Sequence, residues 1–242
     1  MKAEPSMLGR SIALAVLIFS SVGLRSGSRF DGACAQSSHS KTVSPQDRLA
    51  KSSWPRYRGN ARNTGLSGQK PIGRAKPWTF ESLGRRSWSD PAIGPDGTVF
   101  VCTDSLYALD GRTGKKRWEF HLPEANGYSP VLGLNNALYV GGNVRTNGVR
   151  TDCLFALDAT TGKPRWATPV TGYVRSVPAV ASDGTVFVAT LKGWVYALDG
   201  TSGRPMWSVK TSHEIYGALA IGIDGSLLAA SDFLYALDPQ SE

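Results

Sequence analysis

The chain has 242 residues, is 41% hydrophobic and 19% charged, and contains 27 glycines and seven tryptophans, an ordinary globular composition whose Gly and Trp suit a turn-rich β fold. Three cysteines exclude a disulfide framework. The formal charge of +8 is local: residues 47–86 carry ten basic and two acidic groups, whereas residues 87–242 carry twelve and fifteen, so a whole-protein nucleic-acid footprint is excluded.

In chain order, residues 1–35 read as a secretory signal peptide. Lys2 and Arg10 precede an apolar run from Ile12 to Leu24, and Ala33-Cys34-Ala35 offers small residues for cleavage. The run is shorter than the roughly 20 residues a membrane helix needs. Asp31-Gly32-Ala33 differs from the residues that precede a lipidated cysteine, so a lipid anchor on Cys34 is not expected. The protein is therefore expected to be exported, to a periplasmic or extracellular location, with no transmembrane span after cleavage. Residues 36–53 are Ser, Lys, Gln and Pro with few apolar groups, the composition of a disordered spacer. Residues 54–77 form a basic lead-in, WPRYRGNARNTG followed by Pro71 and Pro77. Its Gly and Pro punctuation argues against helix, and Trp54 and Tyr57 are read as anchors on the fold rather than as a stacking platform for single-stranded nucleic acid.

From residue 78 to 238 the chain restates one unit. LYALDGRTGKKRW (106–118) returns as LFALDATTGKPRW (154–166) and VYALDGTSGRPMW (195–207), and a cut-off copy, LYALD, occupies 234–238. In each complete copy the Trp follows the Asp by eight residues, and a repeat near 40 residues signals a solenoid or propeller. Each unit divides into four short strands. The first ends near Asp96-Gly97, Asn135-Asn136, Asp183-Gly184 or Asp224-Gly225, dipeptides suited to tight hairpins. The second follows at once (TVFVC, 98–102; TVFVA, 185–189), the third is the LYALD segment, and the fourth carries the Trp. Between the third and fourth, Asp110, Thr113 and Gly114 have the chemistry of a side-chain-capped turn, repeated by Asp158, Thr161 and Gly162, and by Asp199, Ser202 and Gly203.

Tyr107 and Leu109 lie on one face of their strand while Leu106 and Ala108 lie on the other, so both faces are apolar. A sheet buried on both sides needs neighbours on both sides, which radial stacking supplies. The fold class expected is all-β, a β-propeller of four-stranded antiparallel blades in which each Trp packs on the next blade. Units cover roughly 88–120, 128–168, 176–209 and 216–238, the last without a Trp strand, while a surplus WTF segment (78–80) stands upstream of the first. Donation of that N-terminal strand to the last blade gives a ring of about four blades, the preferred arrangement. A half-ring that dimerises is the alternative. Cys102 and Cys153 are read as small apolar residues in neighbouring strands, with pairing across adjacent repeats as the other possibility.

The recurring Ala108, Asp110, Thr113, Gly114 and Trp118, with Ala156, Asp158, Thr161, Gly162 and Trp166, and Ala197, Asp199, Gly203 and Trp207, resemble the tryptophan-docking motif of pyrroloquinoline-quinone (PQQ)-like β-propeller repeats. The resemblance implies a propeller in which these residues lock blades together. It leads to two functional branches. One holds quinoprotein dehydrogenases, which use PQQ and Ca²⁺ in an eight-bladed ring and often carry a vicinal cysteine pair, absent here. The other holds non-enzymatic envelope proteins, such as the scaffold lipoprotein of outer-membrane β-barrel assembly. A non-enzymatic protein-binding or scaffolding module in the cell envelope, without PQQ or Ca²⁺, is the preferred reading, and a quinoprotein dehydrogenase or a fragment of one is the alternative. No catalytic, cofactor-binding or metal-binding residue is assigned.

His39, His121 and His213 lack metal-ligand spacing, and Thr113-Gly114-Lys115 lacks the upstream Gly of a phosphate loop. Successive Ala-Leu-Asp copies are separated by 48, 41 and 39 residues, so the second unit carries an insertion, placed at residues 142–151. That insertion is read as a loop on the same rim as the links between blades. A rim presenting Arg85, Arg86, Trp88, Tyr128, Arg145, Arg150, Tyr173, Arg175, His213 and Tyr216 is the candidate surface for protein partners of undefined identity or for a second copy. Nucleic acid is not expected as a partner.

Overall fold

A computed structural model describes residues 76–82, 89–122 and 128–239. The expected signal peptide, the spacer and nearly all of the basic lead-in lie outside these residues, as do Arg85, Arg86 and Trp88.

Among the described residues, fifteen strands form four separate antiparallel sheets. The first contains β1 (Ala92–Ile93), β2 (Thr98–Cys102), β3 (Ser105–Asp110) and β4 (Lys116–His121). The second contains β5 (Val131–Leu132), β6 (Ala137–Thr146), β7 (Val149–Asp158) and β8 (Pro164–Pro169). The third contains β9 (Ala179–Val180), β10 (Thr185–Ala189), β11 (Trp194–Asp199) and β12 (Pro205–Lys210), and the fourth contains β13 (Ala220–Ile221), β14 (Leu227–Ala230) and β15 (Leu234–Leu237). Each sheet is an in-order meander, the blade of a β-propeller. The hairpin dipeptides behave as their chemistry requires, with positive φ at Gly97, Asn135, Asn136, Gly184 and Gly225. Among the described residues no helix is long and apolar enough to cross a membrane.

Three hydrophobic clusters hold the blades together, one between each consecutive pair. Phe100, Cys102, Leu106 and Ala108 of the first blade meet Leu138, Val140, Phe155 and Leu157 of the second. Tyr139, Leu154 and Ala156 then meet Val186, Val188 and Leu198 of the third. Phe187, Val195 and Ala197 meet Leu219, Leu227 and Ala229 of the fourth. Alternate residues of every third strand therefore face opposite neighbours, as strand pleating dictates. Full burial of one such Leu contributes about 1.5–3 kcal/mol. Cys102 and Cys153 are buried in the first cluster and are not disulfide-bonded, so they act as small core residues. Burial pushes the Cys102 thiol up to about 12.

Two expectations are corrected. Donation of the Trp78 strand to the fourth blade is not made among the described residues: the fourth sheet has three strands, and β15 pairs only with β14. The insertion in the second unit is not an irregular loop. β6 and β7 simply run on as a ladder from Ala137↔Asp158 to Thr146↔Val149, closed by a two-residue turn at Asn147 and Gly148, whose φ values are 52 and 79. Two successive positive φ values are what a tight hairpin turn matched to strand twist demands.

Candidate functional site

The two ends of each blade do different things. At one end lie the turns between third and fourth strands. Asp110 Oδ1 accepts from the Arg112 amide (3.1 Å), the Thr113 amide (2.9 Å) and the Thr113 hydroxyl (2.9 Å). Asp158 repeats this with Thr160 and Thr161, and Asp199 with Thr201 and Ser202. In the first two blades a bulge beside the Trp places an arginine against the same carboxylate, Arg117 Nη2 at 3.0 Å from Asp110 and Arg165 Nη2 at 2.8 Å from Asp158. Met206 occupies that place in the third. Hydrogen bonds from Arg117 and Thr113 hold the Asp110 carboxyl at about 2, and Arg165 lowers Asp158 in the same way. Asp199, without the arginine, is lowered chiefly by the Ser202 amide.

These turns are sockets. Trp78 Nε1 donates to the Gly111 carbonyl (3.0 Å), Trp118 to Ala159 (3.1 Å), Trp166 to Gly200 (3.2 Å) and Trp207 to Pro239 (2.9 Å). The indoles of Trp118, Trp166 and Trp207 come from the outer strand of one blade and seat on the next blade's turn, and that of Trp78, outside the four sheets, seats on the first blade's turn. The socket glycine is needed twice over. Gly114, Gly162 and Gly203 have φ of 73, 72 and 74, and a Cβ on any of them would fall within 2.5–2.7 Å of the arriving indole. The recurring alanine has an equally steric role. Ala108 pairs with Phe100 on one side and Trp118 on the other, and the two rings meet across it with centroids 5.8 Å apart. Tyr139 and Trp166 meet across Ala156 at 5.7 Å, and Phe187 and Trp207 across Ala197 at 5.8 Å. The sequence reading omitted these second-strand aromatics, although Phe100, Tyr139 and Phe187 recur at one position of the repeat. The docking residues are thus joints.

The opposite end carries the links between blades and the turns between second and third strands. There the structure gathers the candidate rim into two groups. In the first, Arg150, the cross-strand partner of Arg145 in the long hairpin, stacks over the Tyr173 ring at 4.0 Å and bonds Asp152 through Nε (2.9 Å) and Nη2 (2.6 Å). Arg145 lies near the hairpin tip, where Nη1 donates to the Gly148 carbonyl at 3.3 Å, and Val149 beside it is 65% exposed. Arg175 is exposed on the neighbouring link. Tyr128 is not a surface residue: it is 4% exposed and belongs to the first core cluster, so it supports the rim from beneath.

The second group borders an open groove of about 790 Å³ between the third and fourth blades, lined by Trp194, Lys192, Lys210, His213, Tyr216 and Asp232 among others. His213 Nδ1 lies 3.2 Å from Asp232, and Tyr216, 61% exposed, donates to Glu214. Trp194 and the two lysines escaped the sequence reading. The signal was present in Trp194, an aromatic where the other complete repeats have Ser105 and Cys153. The structure does not place the hairpin group and the groove group in one pocket.

Comparison with known proteins places this geometry in a family. The family model described as outer membrane protein assembly factor BamB matches residues 104–242, more than half of the chain. The chain belongs to the BamB family of PQQ-like repeat proteins. Among solved structures, BamB from Moraxella catarrhalis is 26% identical, with 59% of this chain and 43% of that chain covered and a TM-score of 0.45. The quinohemoprotein alcohol dehydrogenase ADHIIG from Pseudomonas putida HK5 is 16% identical, with coverage of 76% and 35% and a TM-score of 0.57. That from Comamonas testosteroni is also 16% identical, with coverage of 61% and 33% and a TM-score of 0.52. The last two likenesses are likenesses of fold. This chain spans less than half the length of each of these proteins. No curated protein sequence matches it.

Proposed function

We propose that this chain is a non-enzymatic binding module of the cell envelope that holds a protein partner on the rim bearing the 144–149 hairpin. The observation that carries the reading is where the repeats stop being alike. Every complete blade keeps the same Trp socket, whereas the long hairpin occurs in the second blade and carries Arg145 and Val149 outward. Arg150, the cross-strand partner of Arg145, is stacked on Tyr173 and bonded to Asp152, which braces the projection against the neighbouring link, so its contacts are presented with little ordering cost. Arg and Tyr are also favoured anchors of protein interfaces. Membership of the BamB family supports an envelope location, in keeping with the signal-peptide pattern of residues 1–35.

A quinone cofactor forms no part of the proposal. The carboxylates that recur through the repeats are engaged within their own turns by amides, hydroxyls and guanidinium groups. Carboxylates so engaged are poorly placed to serve as the oxygen ligands that a calcium-bound quinone needs. The test compares two measurements on one preparation. Replacing residues 145–150 by Asn-Gly, which joins the ladder partners Val144 and Thr151 through a two-residue turn, is expected to leave the thermal melt in place and to abolish recovery of the partner from envelope extracts. PQQ with Ca²⁺ is expected to leave the melting temperature unchanged. A rise of several degrees with PQQ and Ca²⁺, together with partner recovery indifferent to the hairpin, overturns the proposal in favour of a quinoprotein.

A further inference from the structure

A hydroxyl that the repeat supplies elsewhere is missing at one place. In the first blade the Cys102 amide donates to Ser89 Oγ at 3.2 Å, and in the third the Ala189 amide donates to Ser176 Oγ at 2.9 Å. Ser176 Oγ also donates to the Ala189 carbonyl at 2.8 Å. In both blades the serine stands in the link, 13 residues before its partner. The second blade's Ser129 is bonded to Asp90 instead. The counterpart in the fourth blade is Ala230, and 13 residues before it the chain has Gly217. Ala230 pairs with Leu234 as Cys102 pairs with Leu106 and Ala189 with Val195, so the ladder register is shared. Antiparallel alternation therefore turns the Ala230 amide and carbonyl to the side where the serine would stand. A Cβ on Gly217 would meet nothing within 4 Å among the described residues.

Gly217 and Ala230 both line the open groove of about 790 Å³ between the third and fourth blades, a volume ordinary for small-molecule sites. The groove also carries Trp194, whose ring is held by stacking on Tyr196 with centroids 6.0 Å apart. Ser105 and Cys153, at the same repeat position, offer no such flat surface. Charges along the groove balance, with Lys192 and Lys210 against Glu214 and Asp232. Three of these groups are engaged locally. Lys210 Nζ donates to the Lys192 carbonyl, Glu214 accepts from Tyr216, and Asp232 lies 3.2 Å from His213 Nδ1. Such a lining favours neither an anion nor a cation, but it offers donors and acceptors to a neutral ligand that carries hydroxyl groups.

We propose that this groove binds a neutral glycan. One sugar ring lays its apolar C–H face on the Trp194 indole. A hydroxyl of the glycan takes the place of the missing serine, accepting from the Ala230 amide and donating to its carbonyl. Saccharide chemistry fits both halves of the site. A pyranose has a flat apolar face for an aromatic platform and a rim of hydroxyls, each able to donate and to accept as a serine does. A purely apolar ligand would desolvate the two Ala230 backbone groups without replacing their hydrogen bonds. The inference goes beyond the protein-binding reading of the hairpin rim and does not rest on it.

Titration calorimetry of the full chain with maltotriose, cellotriose and chitotriose provides the test, with triglutamate and trilysine peptides as charged comparators. Saturable binding of at least one of the neutral trisaccharides, and of neither peptide, is expected. Trp194→Ala removes the platform and is expected to weaken saccharide binding by at least about tenfold. Gly217→Ser is the decisive variant, because it puts the repeat's own hydroxyl into the vacancy. Gly217 has no positive φ and has open space at its Cβ position, so the substitution leaves the fold intact. It is expected to weaken saccharide binding by about tenfold while the melting temperature does not fall. Binding of none of the three saccharides, binding of a charged peptide in their place, or saccharide binding indifferent to Gly217→Ser overturns the proposal.

Discussion

Replacing Gly162 with alanine isolates the role of the indole socket. Gly162 has φ +72, and a Cβ there would lie 2.7 Å from Trp118 Cε3 and 2.8 Å from Cδ2. Two costs follow. A Cβ in left-handed backbone costs about 1–2 kcal/mol. Displacing a well-seated ring costs about 1–3 kcal/mol more, as for overpacking in a core. Gly162→Ala should therefore lose about 2–5 kcal/mol, read as a lowered urea midpoint followed by Trp fluorescence. Gly148 supplies the control: its φ is +79, but a Cβ there meets nothing within 4 Å, so Gly148→Ala should lose only the backbone share of about 1–2 kcal/mol. Trp118→Ala alone should cost about 3–5 kcal/mol. Adding Gly162→Ala to it should cost only the backbone share, because the ring that the methyl would strike is gone. Equal losses at Gly148 and Gly162, or a Gly162 penalty undiminished in the Trp118→Ala background, would refute the socket argument.

Three further outcomes are expected. Ala156→Leu forces a branched side chain between the Tyr139 and Trp166 rings and should destabilise by about 1–3 kcal/mol, measured by thermal melt, with Ala236→Leu on the exposed edge nearly neutral. The Asp110 carboxyl is held at about 2 in the folded chain against an ordinary value of 3.8. Its contribution is therefore complete above the ordinary value and is lost as pH falls from about 4 towards 2. Asp110→Asn should accordingly lower the urea midpoint at neutral pH and converge with the parent near pH 2. Trp166→Ala should lower the melting temperature while leaving an isolated-rim readout, binding through the 144–149 hairpin, intact at temperatures below the melt.

Much of the fold could be read directly because the repeat is written in residues whose steric roles are severe. Only glycine tolerates both the positive φ at 114, 162 and 203 and an indole at van der Waals contact, and only a small residue at 108, 156 and 197 lets two rings meet. Spacing of Asp and Trp therefore gave blades and turns. Ring closure was not legible, since the fate of Trp78 depends on which edge its backbone reaches, a long-range matter that no local pattern encodes. The insertion was mistaken for a loop because Val144, Arg145 and Thr146 do not alternate apolar and polar. Val144 packs at the margin of the first core cluster, and Arg145 and Thr146 extend the ladder into solvent, where no buried face imposes a period of two. Tyr128 was assigned to the rim because it stands in a link between blades, and its burial could not be anticipated from a Tyr in a Gly- and Pro-rich stretch. Trp194 was detectable by comparing repeats, since it breaks the small-residue rule of its position.

The central claim is that the sockets only build the array while the hairpin rim meets the partner. Site-specific photo-crosslinking in intact cells tests it most directly, with a photoreactive residue at Arg145 on the hairpin and, separately, at Arg112 on a socket turn. The account predicts one defined protein adduct from position 145 and none of that size from position 112. The same adduct from both positions, or from position 112 alone, would contradict it.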